Sequence, residues 1–151
     1  MPGSCPKCKD CDGRPPRQSS LSPRPVHGRR AGVNVQYAIT ETENDGSSAG
    51  GEDKTLMAAL SKAVAGAIGK PDQYVMVTVS HSAMLMSGKR GDAAFVEVRS
   101  IGGLNGETNR ELSQQTYKLL KDSLGVESDR VYLNFTDVEA GNWSWNGSTF
   151  G

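Results

Sequence analysis

Long apolar runs are missing from this 151-residue chain. No stretch is apolar for long enough to span a bilayer, and the amino terminus lacks the hydrophobic core of a secretory signal. A soluble protein made in the cytosol, with no membrane partner, is therefore expected. Cysteine is nearly absent: the three present, Cys5, Cys8 and Cys11, all lie in "CPKCKDC", so no disulfide framework is available to the rest of the chain. They form two overlapping C-x-x-C units, but a structural zinc site takes four ligands in paired loops, and the nearest histidine is His27. An extension with exposed thiols is the expected reading, with no metal. Aromatic residues make up only 6% of the chain, yet both tryptophans, Trp143 and Trp145, stand in the last ten residues, "NWSWNGSTFG". Termini usually fray, so a tail that carries the two largest side chains must be docked.

The chain also has no net charge, and that balance conceals an asymmetry. Residues 1–30 hold no apolar run and carry seven Lys and Arg against Asp10 and Asp12. That excess of five positive charges leaves the remaining chain five negative. A disordered, basic, Cys/Pro/Arg-rich extension over 1–30 is expected, joined to one mildly acidic domain over 31–151. Its Arg and Ser content resembles that of an organelle transit peptide, but its Pro and Gly content and two Asp argue against the amphipathic helix such a peptide needs.

From residue 33 the texture changes. "VNVQYAIT" (33–40) alternates as a strand does, with Val33, Val35, Tyr37 and Ile39 on one face. "ETENDGSSAGGED" then reads as an exposed loop. In "DKTLMAALSKAVAGAIGKP" the apolar residues Leu56, Leu60, Ala63, Val64, Ala67 and Ile68 recur at helical spacing. Asp53 is placed to cap the start, and Gly69 with Pro71 closes the end. "QYVMVTVS" (73–80) is a second strand. The same order then repeats, with a strand over 93–103 and a helix in "NGETNRELSQQTYKLLKDSLG" that turns Leu112, Tyr117, Leu119, Leu120 and Leu124 mostly inward. A last strand covers 129–137. The helix exits "IGKPDQYVMV" and "LGVESDRVYL" match in design. Two such β-α-β halves make an α+β fold, a four-stranded mixed sheet with both helices on one face. The other face is expected to be bare and apolar, and so to drive self-association, with the carboxyl tail added to a neighbouring sheet edge.

Four ordered blocks, "IGKPDQYVMVTV", "EVRSIGGLN", "SDRVYLNFTD" and "NWSWNGSTF", resemble the macrophage migration inhibitory factor family of the tautomerase superfamily, from about Val33 to Phe150. The resemblance implies a homotrimer with active sites at the three subunit boundaries. It implies keto-enol isomerisation of phenylpyruvate-like acids or dopachrome-like substrates, without cofactor or metal. Such chemistry needs a base poised near neutral pH and donors aimed at developing negative charge. In the family the base is an amino-terminal proline. Lys70 matches the pocket lysine that would hold the substrate carboxylate, and Ile101 the position whose backbone N–H meets the substrate. Tyr132 and Asn134, on one face of one strand, match the pair supplied by the neighbouring subunit. Trp145 and Phe150 match the aromatic wall.

Each of these residues has a plainer reading. Lys70 suits a helix carboxyl end through the dipole alone, Tyr132 is an ordinary strand residue, and Asn134 opens one of three glycosylation sequons, "NFT", "NWS" and "NGS", that mean little without a secretory signal. The chain also departs from the family. "DAAFV" replaces the two-cysteine motif, Trp143 stands where relatives carry a smaller residue, and the loop over 41–52 is longer. Ala31 occupies the position of the catalytic proline, behind a thirty-residue extension.

Two functions follow from that last departure. One is a tautomerase, if the extension is removed or if Pro2 folds back into the pocket as the base. The other is a catalytically silent, cytokine-like binding protein that acts through a protein receptor, cytoplasmic and exported by a non-classical route. A third class, a metal- or nucleic-acid-binding adaptor, rests on the basic Cys tail alone; no nucleic-acid partner is expected.

Overall fold

The structure, a computed structural model, describes residues 30–38 and 51–151. Within them β1 (Ala31–Ala38), α1 (Gly51–Ile68) and β2 (Val75–His81) make the first half. The second half is β3 (Ala93–Ser100), α2 (Gly106–Leu124) and β4 (Val131–Asp137). The sheet order is β2-β1-β3-β4. β1 runs parallel to β2 and β3 parallel to β4, while β1 and β3 pair antiparallel at the centre. The expected repeat of two β-α-β halves in one sheet is what the chain forms.

The helix ends explain why the halves match. Gly69 adopts φ +70°, so the chain turns back and closes α1: the Lys70 N–H donates to Ala65 O at 2.8 Å and the Gly69 N–H to Gly66 O at 3.2 Å. Gly125 does the same for α2 at φ +69°. In each half a short 3-10 turn, Asp72–Tyr74 or Ser128–Arg130, then leads into the next strand. These turns shorten the strands expected at 73–80 and 129–137. The strand expected to run to residue 103 stops at Ser100 because Gly102 and Gly103 take positive φ. The expected cap of α1 is also corrected. Its helix already begins at Gly51, and Asp53 accepts a hydrogen bond from the Tyr37 hydroxyl at 3.0 Å. α2 is capped by Asn105, whose Oδ1 accepts from the N–H groups of Glu107 and Thr108. Ile39 and most of the 41–52 loop lie outside the described residues, as do Pro2 and the three cysteines.

The core lies between the sheet and the helices. Val33, Val35, Val96 and Val98 from the central strands meet Leu56, Leu60 and Val64 of α1 and Leu112 and Leu120 of α2, all buried. The opposite face is uncovered, as expected, but it is mixed rather than apolar throughout: Met76, Phe95 and Tyr132 are exposed there beside polar side chains. The Thr78 hydroxyl donates to Asn34 Oδ1 at 3.0 Å, the Asn34 amide donates to Glu97 Oε2 at 3.4 Å, and Arg99 pairs with Glu97 at 3.0 Å. A polar ladder thus crosses three strands of this mixed face.

The carboxyl tail pairs first with itself. β5 (Ser144–Trp145) and β6 (Ser148–Thr149) form a hairpin around Asn146 and Gly147, both at positive φ, as a tight two-residue hairpin turn requires. Phe150 N–H closes it by donating to Trp143 O at 3.1 Å. The tail then lies against its own subunit: a Cβ on Gly32 would stand 3.5 Å from Trp143 Cη2. Trp143 is thereby docked within the chain, while Trp145 stays 59% exposed.

Candidate active site

One end of the sheet gathers the start of β1, the start of β2 and the end of β3. Lys70, the first residue beyond the Gly69 turn, sends its ammonium into this corner. It meets Ser100 Oγ at 2.5 Å, Ile101 O at 3.2 Å, Gly102 O at 3.3 Å and Arg30 O at 3.4 Å. Ser100 is fully buried, and its hydroxyl donates onward to Gly102 O at 2.6 Å. Asp137 fixes the same loop from β4, its Oδ1 accepting from the Gly102 N–H at 2.8 Å. The loop is pressed against α1: Gly103 sits at φ +88°, and a Cβ there would overlap Ile68 Cγ2 and approach Ile68 O to 3.4 Å. Gly103→Ala should therefore cost roughly 2 to 3 kcal/mol of stability through strain and overpacking. Urea unfolding at wild-type stability would show that the loop gives way instead.

Ala31 is 1% exposed and is paired on both sides, to Val75 of β2 and Ser100 of β3. Beside it opens a cavity of about 280 Å³ lined by Arg30, Tyr74, Met76, Trp143 and Trp145 among others. The Arg30 guanidinium stands in an aromatic cluster, its carbon 4.4 Å from the Trp145 ring centroid, 4.7 Å from Tyr74 and 5.8 Å from Phe150. The corner thus offers two cations, a flat aromatic wall and a backbone donor, the Ile101 N–H, which donates to Arg30 O at 3.1 Å. That set suits a small planar acid. Among the described residues no three His, Cys, Asp or Glu side chains cluster.

A sequence model of the macrophage migration inhibitory factor family matches residues 52–151. The chain belongs to this family. A Trichuris trichiura macrophage migration inhibitory factor homologue is 38% identical over 96 residues, which span 63% of this chain and 84% of that one. The Mus musculus protein is 41% identical over the same shares. Among solved structures, a macrophage migration inhibitory factor-like protein from Entamoeba histolytica matches with a TM-score of 0.71 and 31% identity, over 80% of this chain and 98% of that one. A homologue from Prochlorococcus marinus matches with a TM-score of 0.69 and 36% identity, over 80% and 99%. The fold and the family implied by the four sequence blocks are therefore those of the chain.

Of the site residues expected from the family resemblance, Lys70, Ile101, Trp145 and Phe150 come together in this corner. Tyr132 and Asn134 do not. They lie on the outer strand, opposite Phe95 and Glu97, and Tyr132 stands five residues before Asp137, roughly 16 Å along β4. Both point to the open face, where Tyr132 is 62% exposed and Asn134 Oδ1 accepts from the Thr136 hydroxyl. Sequence reasoning missed Tyr74, Ser100 and Arg30. Tyr74 stands in "GKPDQY", where its place in the turn before the strand was the available signal. Arg30 was counted with the charges of the extension. No helix among the described residues is long and apolar enough to cross a membrane.

Proposed function

We propose that this chain is a trimeric pocket protein of the tautomerase type that takes a small aromatic keto acid, and that the chain as encoded binds this ligand without turning it over. The observation that carries the reading is the state of Ala31. Its nitrogen is a peptide nitrogen, buried between β2 and β3, and has no free lone pair to act as a base. Around it the acid-binding parts persist. Lys70 supplies the charge for a carboxylate, and Trp145, Phe150 and Tyr74 the wall for an aryl ring, while in the intact chain the Ile101 N–H stays with the Arg30 carbonyl. In the assembled form Tyr132 and Asn134 of a neighbouring subunit would close the pocket, the Asn134 amide donating to an oxygen of the ligand. A binding role of this kind fits a cytokine-like protein recognised by a receptor.

The test pairs two measurements on the full-length chain. Calorimetry with phenylpyruvate is expected to give saturable binding, while enol formation runs at the buffer rate. Turnover well above that rate would sink the silent reading and return Pro2 as the base. Assembly is tested separately. Tyr132 and Asn134 have no partner role within their own chain's pocket, so the site is complete only in an oligomer; sedimentation is expected to give a trimer. A stable monomer at micromolar concentration would overturn that part.

A further inference from the structure

The groups that the proposed ligand needs are already in use within the chain, and one residue touches each of them. The Arg30 carbonyl accepts from both the Ile101 N–H, at 3.1 Å, and Lys70 Nζ, at 3.4 Å. Its guanidinium lies against Trp145, Tyr74 and Phe150. Its Nε is buried and makes no hydrogen bond among the described residues, and the ion pairs among those residues, Arg99 with Glu97 and Lys121 with Glu127, do not involve it. A buried guanidinium N–H normally finds a carboxylate or carbonyl. Here aromatic faces take that place. Backbone oxygen on the donors and flat cation on the aromatic wall reproduce, within one residue, the two ends of an aryl keto acid.

We propose that Arg30 is a tethered occupant of the pocket, so that a ligand of the intact chain must lift the guanidinium from Trp145 and Phe150 before its own ring can lie there. This inference rests on the pocket reading above. It makes the residue just before β1 the determinant of affinity. A tethered group is always present at high effective concentration, so it discriminates against weak ligands without any change in the walls. Its carbonyl is held by the sheet and stays in place; its side chain is the part that moves. Ligands whose ring is small enough to enter the remaining cavity beside Arg30 would escape the competition, and larger aryl groups would feel it fully.

The opposite role for Arg30, as the receptor of the ligand's carboxylate, predicts the opposite sign, and one substitution separates them. Calorimetric titration of phenylpyruvate into the full-length chain and into Arg30→Ala is expected to show about tenfold tighter binding by the variant, the loss of a cation–π competitor. Equal or weaker binding by Arg30→Ala overturns the proposal, weaker binding making Arg30 the carboxylate receptor. NMR of the Arg30 Nε–H gives a second readout that needs no ligand. In the free full-length chain this resonance is expected to be displaced by the rings, and to return to the position of an exposed arginine when phenylpyruvate saturates the pocket. An exposed-type resonance in the free chain overturns the proposal. A displaced resonance, with no phenylpyruvate binding to either protein, supports the seat of Arg30 and counts against the pocket reading instead.

Discussion

A chain that begins at residue 31 with Ala31→Pro and a free amino terminus is expected to form the enol of phenylpyruvate at least a hundredfold faster than the full-length chain. One change releases three groups. It turns a peptide nitrogen into an amine with a reference pKa of about 8, in a corner where burial and the Lys70 cation both favour its neutral, basic form. It removes the carbonyl that occupies the Ile101 N–H and part of Lys70. It also takes the guanidinium away from Trp145, Tyr74 and Phe150. General-base catalysis by a placed amine contributes on the order of 10²- to 10⁴-fold, so the gain is large even if positioning is imperfect. A chain that begins with the native Ala31 should gain less, because the pyrrolidine ring fixes where the nitrogen points and a primary amine on Ala31 turns freely. Enol formation measured for the three chains side by side decides it. If the intact chain already matches the proline-started one, Pro2 supplies the base.

Lys70→Ala is expected to do two kinds of damage. Its ammonium serves Ser100 Oγ, Ile101 O, Gly102 O and Arg30 O, which tie the end of β3 to the start of β1. Removing it leaves part-buried oxygens short of a donor, at a cost of roughly 1 to 3 kcal/mol in urea unfolding. The affinity for phenylpyruvate should also fall about ten- to a hundredfold, because a charged hydrogen bond contributes roughly 1.5 to 3 kcal/mol. Lys70→Met, which keeps most of the stem, should lose the affinity in full while the packing of the stem persists. Unchanged affinity in both variants would reduce Lys70 to the brace of the corner.

The halves of the fold were legible because each is punctuated alike. A glycine in the left-handed region and a short turn precede β2 and β4, and "IGKPD" and "LGVESD" carry that instruction locally. The uncovered face could also have been read correctly. In "VNVQY", "VMVTV" and "FVEVR" the residues between the core positions include Asn34, Thr78, Glu97 and Arg99, so the alternation already placed polar groups there. The expectation of an apolar face came from topology, and the side chains make it a mixed one, with Met76, Phe95 and Tyr132 beside those polar groups. Lys70, Ile101, Trp145 and Phe150 were legible only as members of ordered blocks, since nothing in a lone helix-end lysine marks a pocket. Arg30 was hidden for a different reason. Its neighbours in sequence belong to a basic extension, and only the fold brings it to Tyr74 and Trp145, 44 and 115 residues away.

The pairing of β1 has a consequence for how an Ala31 amino terminus arises. The sequence before the sheet ends in Arg29 and Arg30, a pair that a trypsin-like protease would favour. Yet the bond after Arg30 is the one whose carbonyl is held by Ile101 and Lys70, and whose next residue is clamped between two strands in the middle of the sheet. A protease draws several residues on each side of the scissile bond into an extended form, and here that means pulling out a central strand. Cutting at that bond is therefore limited by unfolding of the domain. Limited digestion of the folded protein should therefore leave the bond between Arg30 and Ala31 intact, and a flush amino terminus at Ala31 has to be made before the sheet closes.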